Sequence, residues 1–361
     1  MPLNSFQTSG NSPGFRDDRC HVAILGLGTV GAAVAQRLMG PDLAPHLRLT
    51  HICDRRARDK RARQGEPLLS LTWTDRFDDL LASDADIIVE TMTGSEPSVD
   101  YVRAALLGGK SVVTANTQVM ARHGQALLTL AERQGRQLRY EAAVGGAIPL
   151  VGALGDGLSG DTVLRIDAVL NDTATTVLSQ MEQHGSSMDE GIAEACARGI
   201  ADVDPSVDLD GIDAAAKLAI LCGLAFHVKI SPDAIETRTS ADIRLEDFKK
   251  AKLRGGTIRQ VAHASFDRAS GTLTAWVSPD FVPFTSALAQ TSGPENAAII
   301  TSRSGGTLTL VGIGGGGEAS AVAIVSDLRA IARDRAAIVP APVLSEPASI
   351  VGLSAQTLAE A

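Results

Sequence analysis

An aspartate and a lysine one helical turn apart, Asp213 and Lys217, stand in a segment that is otherwise apolar on every side, from Ile212 to Phe226. The i,i+4 spacing puts both side chains on one face of a helix, expected to run from near Asp208 to about Phe226. On a solvated helix such a pair is an ordinary surface salt bridge of little energetic weight. A helix that is greasy all round is a buried one, and an ion pair taken out of water there costs on the order of several kcal/mol. Ala214, Ala215, Ala216, Leu218, Ala219, Ile220 and Leu221 leave no solvated stripe. The pair reads as the polar lining of a site.

A second constellation handles phosphate. The strand His21–Leu25 runs into Gly26-Leu27-Gly28-Thr29-Val30-Gly31, and a helical pattern follows. This is G-x-G-x-x-G between a strand and a helix: Gly26 allows the tight turn, Gly28 the approach of a pyrophosphate, Gly31 close helix packing. The amides around Thr29 and Val30 would meet the anion. A second strand ends at Asp54, roughly 20 residues on, where an acid reaches an adenosine ribose. Arg55 and Arg56 follow and suit a 2′-phosphate instead. The cofactor is therefore NAD or NADP, with a slight lean to NADP. Thr93 and Asn116 fall at the carboxyl ends of later strands, where ligands bind. Gly314, in a second glycine-rich turn at 312–317, also falls in the predicted cofactor set.

Strands and helices alternating through residue 145 predict a Rossmann-type, doubly wound parallel sheet. This domain spans 20–145 and is completed by a C-terminal helix over 319–334. Residues 146–318 read as an α+β substrate and dimerisation domain, 1–19 as a disordered leader, and 335–361 as a loose tail or a strap across a partner. The chain of 361 residues has a net charge of −9, which argues against nucleic acid or anionic membrane as a partner. No apolar run reaches the ~18 residues of a membrane span. Cys20, Cys53, Cys196 and Cys222 lack metal-ligand spacing and suit reduced thiols in a cytoplasm.

Together these residues resemble homoserine dehydrogenase from about His21 to Arg333. The strongest stretches are GGAIP and ADVDPSVDLDGIDAAAKLAIL, supported by GLGTVG, VTAN, SGPENA and ASAVAIVSDL. The resemblance implies hydride transfer between a nicotinamide and a substrate alcohol or aldehyde, a homodimer joined through the second domain, and no ACT-type regulation. It implies that Lys217 is the acid/base, its pKa depressed by burial, with Asp213 supporting it. It also implies a sodium-type ion on Glu141, Val144, Gly146 and Ile148. Four positions in the implied substrate pocket depart from the family pattern. Thr117 replaces a lysine, Asp172 a glycine before Thr173, Asp202 a glutamate and Ile200 a tyrosine. The substrate is thus homoserine or a relative of it. The alternative is a catalytically silent dinucleotide-binding paralogue, against which the retained Asp213 and Lys217 argue.

Overall fold

A computed structural model of the chain describes residues 19–40, 46–201 and 204–353. Asp202 and all but Arg19 of the expected leader lie outside the described residues. The first half alternates β1 (Cys20–Leu25), α1 (Thr29–Met39), β2 (Leu47–Cys53), α2 (Ala57–Arg61), β3 (Thr72–Thr74), α3 (Phe77–Ala82), β4 (Ile87–Glu90), α4 (Ser98–Leu107), β5 (Ser111–Thr114), α5 (Thr117–Arg133) and β6 (Leu138–Arg139). Val22 and Ile24 on one side of β1, Ala23 and Leu25 on the other, are all buried, as a sheet covered on both faces requires. The strands form one parallel sheet in the order β3-β2-β1-β4-β5-β6. The order reverses between β1 and β4, which opens a crevice at their carboxyl ends. The last strand ends at Arg139, beyond which the chain enters a 3-10 turn at Glu141–Ala143 instead of continuing the ladder.

The second half contains α6 (Leu150–Gly152), β7 (Val163–Val169), α7 (Asp172–His184), α8 (Met188–Ala197), α9 (Ser206–Leu209), α10 (Ile212–Phe226), β8 (Glu236–Thr237), α11 (Leu245–Leu253), β9 (Gly256–Asp267), β10 (Thr272–Pro283), β11 (Glu295–Ser302), β12 (Gly306–Ile313), α12 (Gly317–Arg333) and β13 (Ser349–Val351). Its sheet runs β12-β11-β7-β9-β10-β13, with β8 also on β10. The strands of this half pair within this chain, and β12 is left as an edge. The buried helix packs between α5 and the β7–β9 face. It is not continuous from Asp208. Gly211 breaks it with φ +78, and a Cβ there would lie 2.9 Å from Val277 Cγ1, so the α9 turn and α10 are separate elements.

The C-terminal helix returns to the nucleotide half. Ala321, Ile324, Val325 and Leu328 share one hydrophobic cluster with Val22, Ile24 and Val34. The chain beyond it straps its own body. Ala341 N–H donates to Glu132 Oε2 at 3.1 Å and Ser345 N–H to the His227 carbonyl at 3.0 Å. Finally β13 pairs in parallel with β10.

Candidate active site

The glycine turn closes as its residue types require. Gly26 has φ +95 and accepts the Thr91 hydroxyl of the β4 loop at 2.7 Å. A Cβ on Gly31 would fall 2.1 Å from the Gly26 carbonyl, so only glycine lets α1 approach. A Cβ on Gly28 would meet nothing within 4 Å, because the space above it is open. Helix α1 begins at Thr29-Val30 with no side-chain cap and no acid in its first turn. Open amides over open space fit a pyrophosphate. The adjoining cleft, of about 450 Å³, is lined by Gly26, Gly28, Asp54, Arg55, Lys60 and Thr93, among others.

Asp54 is less available to a ribose than its position in sequence suggests. Its oxygens accept N–H groups from Leu27 and Arg56, each at 2.9 Å, and the Lys60 ammonium at 2.5 Å. Burial pushes the carboxyl up, but Lys60 and the two amides outweigh it and hold the group below the usual aspartate value. Arg55 lines the cleft, whereas Arg56 is exposed beside it. Asn116 caps α5, accepting from Val119 N–H at 3.1 Å, and donates to the Gly94 carbonyl at 2.7 Å. It orders the loop that carries Thr93. Glu90, fully buried, assists by accepting Met92 N–H at 2.8 Å and the Thr114 hydroxyl at 2.5 Å.

The polar cluster is assembled from α10, α9, the end of β7 and the start of α7. Lys217 Nζ lies 2.8 Å from Asp213 Oδ2 and donates to the Leu170 carbonyl at the end of β7 at 2.9 Å. Asn171 caps α7 by accepting from Ala174 N–H, and its amide donates to Asp213 at 2.9 Å and to Asp208 at 2.7 Å. The break at Gly211 is what turns Asp208 toward Asn171. The expected depressed lysine is corrected by these neighbours. Burial presses Lys217 down, yet the charges of Asp213, Asp172 and Asp208 together hold it above its ordinary value. At neutral pH it is an ammonium.

The two constellations are joined by the loop 314–317. Gly315 packs against Asp172 so closely that a Cβ would lie 2.0 Å from Oδ2, and a Cβ on Gly317 would lie 2.9 Å from the Thr29 carbonyl. Contacts two positions apart, on Gly315 and Gly317, thus link the acid cluster to the glycine turn. Gly314 itself serves packing, with Asn296 and Gly146 pressed against it.

Residues 149–328 match the family described as homoserine dehydrogenase, and residues 26–141 match the homoserine dehydrogenase NAD-binding domain. The homoserine dehydrogenase of Mycobacterium tuberculosis is 38% identical over 87% of this chain and 72% of its own length. This chain belongs to the homoserine dehydrogenase family. The Mycobacterium leprae relative is 39% identical, over 89% of this chain and 74% of its own. The crystal structure of the enzyme from Thiobacillus denitrificans superposes with a TM-score of 0.85 at 30% identity, covering 92% of this chain and 80% of that one. A hyperthermophilic archaeal homoserine dehydrogenase in complex with NADPH gives a TM-score of 0.72 at 26% identity, covering 90% and 99%. The chain is accordingly an NAD(P)-dependent oxidoreductase acting on CH–OH groups. No helix among the described residues is long and apolar enough to cross a membrane.

The family's departures take defined places. The Thr117 hydroxyl, on the first residue of α5, donates to the Ala143 carbonyl at 2.8 Å. Thr173 is buried and bonds the Ile200 carbonyl at 3.3 Å. In the implied cation loop the Glu141 carboxylate caps α6, accepting Val151 and Gly152 N–H at 2.8 Å each. Among the described residues the Ile148 carbonyl accepts only Leu150 N–H and retains a second lone pair, whereas the Glu141 carbonyl accepts both Val144 and Gly145 N–H. Val144 is buried, and Gly146 is held at φ +57 against Gly314.

Lys60, Asn171, Asp208 and Glu90 were not singled out as site residues from sequence. The acid-rich loop before α10 was a signal for Asp208. For Lys60 the signal was its place on the short helix α2 that follows Asp54. Lys60 gives a direct prediction. Lys60→Ala removes the counter-charge of Asp54 and leaves a bare carboxylate beside any 2′-phosphate, so affinity for NADP should fall by about tenfold or more relative to NAD. Calorimetric titration of both cofactors checks this, and an unchanged ratio would remove Lys60 from cofactor selection.

Proposed function

We propose that the chain interconverts a small amino-acid-like alcohol, homoserine or a relative, and its aldehyde, with Lys217 carrying the reacting proton and Asp213 positioning it. The observation that carries this reading is the single polar cluster on a buried helix, joined by the loop 314–317 to an open helix N-terminus. When bound there, a nicotinamide dinucleotide supplies the hydride acceptor or donor. Gly28 and the first amides of α1 would hold its pyrophosphate, and Asp54, Arg55 and Lys60 would meet its adenosine ribose. In the reductive direction the Lys217 ammonium gives a proton to the developing alkoxide oxygen. In the oxidative direction it must first lose one, with Asp213 and Asn171 keeping its position. For a sodium-type ion in the loop after Glu141, the carbonyl oxygens of Val144, Gly146 and Ile148 would be the ligands, which suits a hard cation; the Glu141 carbonyl is itself taken by Val144 and Gly145 N–H. No observation favours a silent paralogue, and a lysine kept buried among three acids argues against one. Steady-state assays of the purified protein with NAD and NADP, over a panel of small amino alcohols and aldehydes including homoserine, test the proposal. No dinucleotide reduction or oxidation with any of them would overturn it.

We also infer a homodimer in the cytoplasm. The β12 edge carries Val311 and Ile313, 51% and 42% exposed, and an exposed apolar edge strand calls for cover. Light scattering at micromolar concentration should return twice the chain mass, and a value of 37.5 kDa would contradict it.

A further inference from the structure

Further along α10 from Asp213 and Lys217, the two halves of the molecule frame a cavity of about 260 Å³. It lies between α5, α10 and the C-terminal strap. Its walls are apolar, with Leu128 from α5, Ile220 from α10, Ile230 after it and Leu344 from the strap. Two glycines inside the helices help to leave the space, Gly124 on α5 and Gly223 on α10. A glycine within a helix is less stable there than an alanine. Nothing close by demands one at 223, where a Cβ would make only ordinary contacts, the nearest 3.7 Å from Leu344 Cδ1.

Tyr140 gives the cavity a polar handle. It lines the wall, is 8% exposed, and its hydroxyl has no hydrogen-bond partner among the described residues. A buried phenol ordinarily has one. The Gln125 carboxamide, also on the wall, has no partner among the described residues either. The charged groups of the lining are satisfied. Arg122 donates twice to Asp233, at 2.7 Å each, and Lys229 lies 3.6 Å from Glu346. The cavity thus offers apolar surface and unused hydrogen bonds, with its charges already paired.

We propose that this cavity is an effector site for a small neutral molecule, with an apolar ring or branched body and one amide or hydroxyl group that bonds Tyr140 and Gln125. The inference rests on the dinucleotide-dependent reading above and adds a control site to it. An occupant touches both halves at once, because α5 and Tyr140 belong to the nucleotide half and α10 and Ile230 to the other. Helix α5 starts at the Asn116 cap, whose amide holds the Gly94 carbonyl beside Thr93 of the dinucleotide cleft. The occupant's contacts are complete only while α5 is fixed against α10, so it favours that arrangement. A dinucleotide held by the ordered Thr93 loop favours it too, and each ligand should tighten the other.

The test uses 2-piperidone and cyclohexanol as probes of the purified full chain, with cyclohexanecarboxylate as the anionic counterpart. Calorimetry should give the neutral probes Kd values of about 1 mM. The carboxylate should bind about tenfold more weakly, since its charge would be desolvated without a partner. Saturating 2-piperidone should raise the affinity for NAD or NADP by about fivefold. Tyr140→Phe keeps the ring and should weaken 2-piperidone by about tenfold. Gly223→Met fills the space with an adaptable side chain and should abolish probe binding without lowering the melting temperature. Neutral probes that fail to bind, or that bind Gly223→Met as well as the wild type, would overturn the inference. If Gly223→Met does not fold, undiminished affinity in Tyr140→Phe overturns it instead. Tighter binding of the carboxylate would overturn the neutral class, and probe binding without any change in dinucleotide affinity would overturn the effector role. No arm needs turnover, so a substrate panel that failed to react would count against the oxidoreductase reading alone.

Discussion

Lys217→Ala should lose about 10²–10⁴-fold in kcat, roughly 3–5 kcal/mol in the barrier, the usual cost of removing a positioned acid/base. Dinucleotide affinity should be unchanged, because the pyrophosphate site is the separate glycine turn at 26–31. The loss should fall on kcat in both directions. The wild-type pH profile carries a second signature. Because three carboxylates hold Lys217 above its ordinary value, reduction of the aldehyde should be flat through neutral pH, where the ammonium persists. Oxidation of the alcohol requires the deprotonated amine and should rise with pH across the same range, by up to about tenfold per unit. Stopped-flow and steady-state measurements in both directions read these effects. Wild-type kcat in Lys217→Ala would make the ion pair structural.

Gly28→Val should abolish measurable dinucleotide binding, a loss of about 100-fold or more, while leaving the protein folded. A Cβ there has nothing within 4 Å beyond its chain neighbours, and the valine side chain would point into the space above the open α1 N-terminus. Gly31→Ala is the contrasting case. Its Cβ would clash with the Gly26 carbonyl at 2.1 Å, so it should lower thermal stability as well as binding. Calorimetry and thermal melts on the two variants separate the effects. Undiminished affinity in Gly28→Val would place the dinucleotide elsewhere.

Much of this arrangement was legible in the chain itself, for local reasons. Glycine spacing between a strand and a helix has few physical uses, and every glycine of 26, 28 and 31 shows the constraint or freedom its type implies. An ion pair in an apolar helix likewise announced a site, because desolvation leaves little other reason to keep it. The parallel sheet followed from the alternation of elements. Element ends were less legible. Gly211 in a left-handed conformation against Val277, and the 3-10 turn after Arg139, are set by what those residues pack on.

The sequence by itself therefore determined the element types, the dinucleotide turn and the Asp213–Lys217 pair, since each depends on neighbours within a few residues. Only the tertiary structure decided their electrostatics. Burial alone predicted a depressed lysine, but Asp172 and Asp208 arrive from other elements and reverse the sign. In the same way Lys60 folds back to neutralise Asp54, and the loop 314–317, distant in sequence from both sites, sets Asp172 and Thr29 on either side of one short turn. Charges act through space rather than along the chain, so the protonation state of a site is fixed by residues its own segment does not contain.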